Sequence, residues 1–251
     1  LNLHNMYYDP SRMSEELMYR MFRDAGLPAA RTGYARLSIN GTHYGLYSVV
    51  EVTDDPMLAR WFEDSNGNLY ENAENYCDLD DGLSCFDAEE FDEGSHDALS
   101  AFIDAVQTPG AGWLAAGQPL LLWEHYTGFL AMEMSLAHWD SYSYDLSNYR
   151  FYHEPTEDGW TLIPSSTDLG FGFRPWSYSD CGRHGVDPSD YTMGILSSRC
   201  LQDSTCQAAV HARILEIADQ LEAMDTSAAI DELAARIRAE VDEDDRSYYG
   251  S

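Results

Sequence analysis

The run Tyr34-Ala35-Arg36-Leu37-Ser38-Ile39-Asn40-Gly41-Thr42-His43-Tyr44-Gly45-Leu46-Tyr47-Ser48-Val49-Val50-Glu51 decides the fold more than any other stretch. Two strand-like segments, rich in β-branched and aromatic residues, flank the loop Asn40-Gly41-Thr42-His43, which opens on an Asn-Gly dipeptide. That dipeptide supplies the positive φ angles a tight hairpin needs, so the run reads as an antiparallel hairpin. Upstream, Leu1-Asn2-Leu3-His4 alternates like the end of a strand. A helix is expected from Asp9-Pro10-Ser11 onward, with Ser11 at the cap and Leu17, Met21 and Phe22 on its apolar stripe. It ends at Gly26-Leu27-Pro28, and a short helix over 56–62 and a turn at 64–68 follow the hairpin. Residues 72–95 are acidic, bounded by cysteine and aperiodic, and read as a long excursion within one domain.

Helices are expected at about 96–107 and 119–138. A second hairpin pairs Tyr149–Tyr152 with Trp160–Ile163 across Asp158-Gly159. The stretch 174–188 reads as loop. Two closing helices carry Val210, Ile214, Ile217, Leu221 and Ile230, Leu233, Ile237, Val241 at helical spacing. Helix and hairpin first, then mostly helices, define an α+β fold in two lobes, all within one domain over 1–251. Small-lobe elements occupy about 1–72 and the large lobe about 96–251.

Charge narrows the function. The 251 residues carry 44 Asp and Glu against 14 basic residues, a net charge of -30, and every basic residue is Arg. Such a field repels nucleic acid and anionic lipid, and without lysine no Schiff-base or P-loop lysine chemistry is available. No stretch is long and apolar enough to span a bilayer. A chain opening on Leu1 reads as a fragment or processed form. Cys77 and Cys85 flank a short loop suited to a local disulfide; two of Cys181, Cys200 and Cys206 can pair, leaving one over. An oxidising, secreted or cell-envelope compartment is favoured, with cytosolic free thiols as the alternative. No His-Glu-x-x-His helix or Gly-x-Ser-x-Gly elbow is present.

Chemistry concentrates at three residues that follow buried-looking elements. Asp140 ends His138-Trp139-Asp140, Asn148 opens the second hairpin, and Asp168 follows it in Ser166-Thr167-Asp168-Leu169-Gly170. Carboxylate and amide oxygens are ligands preferred by Mg²⁺ or Mn²⁺. Asn148 and Asp168 can hold a metal that bridges nucleotide phosphates, leaving Asp140 to accept a hydroxyl proton. The same residue types also serve as turn and cap residues. The acidic loop Asp78-Leu-Asp-Asp-Gly82 lacks EF-hand spacing and reads as a solvated acidic loop, with weak Ca²⁺ affinity as the alternative.

These residues lie in segments that resemble the spore coat protein H (CotH) kinase-like family. The segments are Asp9-Pro-Ser-Arg-Met-Ser-Glu-Glu-Leu, Asp24-Ala-Gly-Leu-Pro-Ala, Leu37 through Asp54, Gly67-Asn-Leu-Tyr70, Trp139-Asp-Ser-Tyr142, Asn148-Tyr-Arg-Phe-Tyr152 and Leu162 through Phe171. They occur in the family's order over about 1–175, and the run Asn-Gly-x-x-Tyr-Gly-Leu-Tyr-x-x-x-Glu is the most specific. The resemblance implies an atypical protein-kinase fold and an ATP- and Mg²⁺- or Mn²⁺-dependent phosphotransferase acting on a protein hydroxyl. It implies Asp140 as the catalytic Asp and Asn148 and Asp168 as metal ligands. Glu51 lies where the family places a Glu near the nucleotide, and Glu15 is a helix carboxylate that pairs a basic phosphate-binding residue. Both glutamates can equally belong to a solvated face.

Two departures stand out: Glu71 occupies a position usually Lys, and Ser14-Glu15 replaces Arg-Glu. Phosphate charge then falls to arginine, with Arg36, Arg150 and Arg174 the candidates by position. The departures also support a second reading, a secreted pseudokinase that binds a protein partner. A third is a Ca²⁺-stabilised structural domain of an extracellular assembly. The start at Leu1 further implies that an upstream part of the small lobe is missing.

Overall fold

The computed structural model describes residues 1–72, 76–90, 96–173 and 187–244. The chain opens with β1 (Asn2–His4) and α1 (Ser14–Asp24), followed by the expected hairpin of β2 (Thr32–Ile39) and β3 (Thr42–Val50). Asn40 and Gly41, with φ of 53° and 80°, form the two-residue turn, so Thr42 and His43 belong to β3 and not to the loop. β1 pairs antiparallel with the far side of β3, giving a three-stranded sheet in the order β1-β3-β2. α1 starts three residues later than Ser11. The buried Asp9 is the reason, since its carboxylate accepts the Ser11 N–H at 2.9 Å and the Ser14 N–H at 2.8 Å.

α2 (Asp55–Leu58) and β4 (Asn68–Asn72) follow. The acidic segment is not aperiodic throughout, because it contains β5 (Phe86–Glu90), which pairs with β4 at a sheet edge. The Cys77–Cys85 disulfide closes the loop before it. α3 (Asp97–Val106) and a short α4 (Gly112–Gly117) lead to α5 (Trp123–Ser135). α5 is buried continuously from Tyr126 to Glu133, as an all-round apolar helix must be. α6 (Tyr142–Asp145) precedes the second hairpin, β6 (Tyr149–Glu154) and β7 (Gly159–Pro164). The second sheet runs β5-β4-β6-β7, all antiparallel.

α7 (Ile195–Gln202), α8 (Ser204–Ala223) and α9 (Thr226–Asp242) close the chain. Asp203 caps α8 by accepting from Thr205 and Cys206 N–H, and Cys200–Cys206 ties α7 to α8. Cys181 and the expected loop up to residue 186 lie outside the described residues.

The main core lies between α5, β7 and α8, with Phe102 stacked on Trp160 at 5.0 Å. A smaller cluster joins Met57, Leu58 and Phe62 to Tyr152 and Ile163. A third seats Ile237 of α9 on Met6 and Leu46. The fold is therefore α+β, with two antiparallel sheets and nine α-helices among the described residues. No helix among them is long and apolar enough to cross a membrane.

Candidate functional site

Two connections bring the polar residues together. The chain after β7 folds back on the end of α5, where Phe171 and Gly172 N–H bond the carbonyls of Leu136 and Ala137 at 2.7 and 2.9 Å. Trp139 Nε1 reaches the Phe173 carbonyl at 2.6 Å. Asp168, which precedes this segment, and Asp140, which follows α5, thereby become neighbours close enough for Asp140 to act on the Asp168 carboxyl. Asn148 joins them: its Nδ2 donates to both the backbone oxygen and Oδ2 of Asp140, each at 2.8 Å.

The backbone here is unusual. Ala137, Leu146, Asn148, Ser166 and Phe171 all have φ between 47° and 57°, half of the ten non-glycine residues of positive φ among the described residues. Each such residue stores roughly 1–2 kcal/mol of strain, and strain of this kind clusters at functional sites. Buried Glu133 supports the loop by accepting the Ser143 N–H at 3.2 Å.

Burial is the first cause that raises both aspartates. Asp168 is pushed up to about 6, with His4 opposing and Glu15 adding to the shift. Asp140 is raised as well, with the Asn148 hydrogen bond pulling it down. Asp168 is only 5% exposed. Its contacts to described side chains are long, 3.5 Å to Ser166 Oγ and 3.8 Å to His4 Nε2. A desolvated carboxylate so thinly matched is suited to a cation, and carboxylate and amide oxygens such as those of Asp168 and Asn148 are donor types that Mg²⁺ or Mn²⁺ takes. The residues present therefore fit the metal.

A cavity of about 440 Å³ adjoins the cluster, lined by Asn148, Ser165 and Ser166 on one side and by His4, Glu15 and Glu51 on another. Glu15 is buried on α1, and its carboxylate meets His4 Nδ1 at 3.2 Å. His4 is raised above its ordinary value, first by that hydrogen bond and against its own burial. The basic partner of Glu15 is thus a histidine from β1. It carries no motif, and finding it requires the β1–β3 register.

Glu51 lies at the rim, gripped by Arg31 at 2.7 Å and by Arg60. Burial alone would raise its carboxyl; the two guanidinium groups outweigh that and hold it down to about 2. Arg36 is not brought into the cleft. It is exposed on β2 and pairs with Glu240 of α9 and with Glu243, at 3.3 and 3.1 Å. Glu71 faces Arg150 across β4 and β6 with a 2.7 Å ion pair. Arg174 lies outside the described residues, and Tyr142, Tyr149 and Tyr152 are buried in the core.

The acidic loop is engaged internally. Asp78 is buried and accepts from Tyr142 Oη at 3.1 Å and from Leu79 and Ile195 N–H. Asp81 approaches Cys77 and Cys85, whose sulfurs are already bonded to each other.

The chain is thus an α+β protein that gathers Asp140, hydrogen-bonded to Asn148, and the buried Asp168 beside one cavity. Residues 1–251 match the family described as "CotH kinase protein", and the chain belongs to that family. It is also similar to Invasin CotH2 of Rhizopus delemar, with 24% identity over 238 residues covering 82% of this chain. Those residues amount to 38% of that longer protein.

Proposed function

We propose that the chain is an atypical protein-kinase-like phosphotransferase that uses ATP with Mg²⁺ or Mn²⁺ to modify a protein hydroxyl. In this reading α1 and the three-stranded sheet form the small lobe, and the helices around α5 form the larger one. The observation that carries it is the Asp140–Asn148–Asp168 cluster, two desolvated carboxylates and an amide beside a 440 Å³ cavity. Asn148 Oδ1 and Asp168 would hold the metal, which when bound would neutralise charge on the transferring phosphoryl group. Asn148 Nδ2 orients the Asp140 carboxylate, and burial raises its affinity for a proton. The acceptor hydroxyl loses its proton to Asp140 as its oxygen bonds to the γ-phosphorus and the bond to the β–γ bridging oxygen breaks.

Thermal unfolding of wild type and Asp168→Ala, with and without ATP and Mn²⁺, tests the site. A ligand at 100 times its Kd adds about 2.7 kcal/mol, a shift of several degrees for a chain of this length. The shift is expected in wild type and not in Asp168→Ala; an equal shift in both would remove Asp168 from the site.

A second reading is a binding module that has lost transfer, supported by Glu71 at a cleft position where charge repels phosphate. Two disulfides and a relative named an invasin support an extracellular or cell-envelope setting with a protein partner. Phosphoryl transfer above the level of Asp168→Ala would dismiss the second reading.

A further inference from the structure

The cleft is acidic, yet its proposed ligand is a polyanion. Of the described side chains that line the cavity, only His4 and Arg150 are basic, against Glu15, Glu51 and Glu71. Each glutamate has its own cation: Glu15 has His4, Glu51 has Arg31 and Arg60, and Glu71 has Arg150. His4 is shared between Glu15 and Asp168, so its charge is spent on the cleft's own carboxylates. Arg31 and Arg60 do not line the cavity.

Arg150 differs on three counts. Its described ion pair uses one nitrogen of a five-donor fork, Nη2 to Glu71, and its charge also reaches Glu89 on β5. It stands two positions along the chain from Asn148, the proposed metal ligand. Its charge also acts on the buried Tyr19 phenol together with the charges of Glu15 and Asp168, which places all three around one floor residue.

We propose that Arg150 is the phosphate-binding residue of this cleft, set in place by Glu71, and that it recognises the polyphosphate of a nucleotide. This rests on the nucleotide reading above. The antiparallel register puts Glu71 directly opposite Arg150, with buried Tyr149 and Phe151 on either side along β6. The pairing orients a long side chain that would otherwise sample many rotamers, and a planar fork suits phosphate oxygens better than a point charge. The lysine-free composition thereby acquires an explanation at the site: the cation comes from β6 and the carboxylate opposite it from β4.

Equilibrium binding of ATP and adenosine, each with Mg²⁺, provides the test on the whole chain. The Glu71→Gln/Arg150→Gln double variant removes the pair without stranding a charge. Its ATP affinity is expected to fall at least tenfold and its adenosine affinity to stay within twofold of wild type. A merely structural role would lower both together, and that outcome overturns the assignment, as does an ATP affinity within twofold of wild type. Should the double variant fail to melt cooperatively, the Glu71→Arg/Arg150→Glu exchange keeps an ion pair and applies the same criteria. Wild type that binds ATP while the variants bind it equally defeats only the role of Arg150. Wild type that binds no ATP with Mg²⁺ or Mn²⁺ defeats the nucleotide reading and this assignment with it.

Discussion

Asn148 carries two demands at once, a left-handed backbone with φ of 56° and an amide that bonds Asp140 and, in the proposed reading, offers its oxygen to a metal. The demands separate by substitution. Asn148→Gly relieves the backbone, whereas Asn148→Ala keeps the strain and loses the amide. Asn148→Ala is expected to be about 1 kcal/mol less stable than Asn148→Gly in urea unfolding, with both losing metal-dependent ATP binding. Equal stabilities would show that the φ value carries no cost. Asp140→Ala is expected to abolish transfer to a protein acceptor while ATP still raises the melting temperature. Residual transfer at the wild-type rate would remove the proton-accepting role. Asp140 and Asp168 stand out in the sequence as candidates because each comes a few residues after an apolar element whose end can be read, and Asn148 because it leads directly into a hairpin strand. The sequence left His4 unremarked, because its importance arises from strand pairing with Ser48 and a contact with Glu15 eleven residues away. Arg36 was a plausible cation by position, but its strand turns it toward α9.

At the scale of elements, the two hairpins were legible because turn chemistry and strand composition agree. α5 was legible because its apolar run is long. β5 was not: Asp87, Ala88 and Glu89 are exposed at a sheet edge, so no alternation of apolar residues marks the strand. α4 and α7 are short and hold glycine or serine, so neither shows a helical stripe. The edge and the α7–α8 corner are held by disulfides closing loops of 8 and 6 residues in sequence separation. Loops this short are worth roughly 2 kcal/mol each by the chain-entropy estimate. Reduction is therefore expected to lower the unfolding free energy by about 4 kcal/mol, read as a lower urea midpoint; an unchanged midpoint would make the bonds incidental. Gly45 is the tightest point of β3, with φ of 105° and an added Cβ only 2.6 Å from Asp244 Oδ2. Gly45→Ala is expected to cost more than 1 kcal/mol and to free the end of α9 to limited proteolysis.

The whole molecule is poised against high pH. Burial pushes Glu133 up to about 8 and Asp78 up to about 7, from ordinary values of 4.5 and 3.8. Between those limits the folded chain holds more protons than the unfolded one, so stability falls as pH rises. His138 works in the opposite sense, since burial takes it down to about 3 from 6.5, and its stabilising contribution is lost as pH falls through that interval. Above pH 6.5 the raised carboxyls act together with His4, which Glu15 raises above its ordinary value, so all three lose stability in the same direction. Unfolding in urea is expected to become easier from pH 6.5 to 9, and Glu133→Gln is expected to flatten that decline. An undiminished slope in the variant would place the effect elsewhere. A net charge of -30 adds self-repulsion, so 1 M salt, with a screening length of about 3 Å, is expected to raise the midpoint. The two ends of the described chain also converge: β1 pairs with Ser48–Val50 of β3, and Asp244 abuts Gly45 of the same strand. A pull applied at residues 2 and 244 is therefore borne by β3 and its two flanking contacts. Tension reaches His4 and the mouth of the cleft first, while α5 and the hairpin β6–β7 stay outside the path of the load.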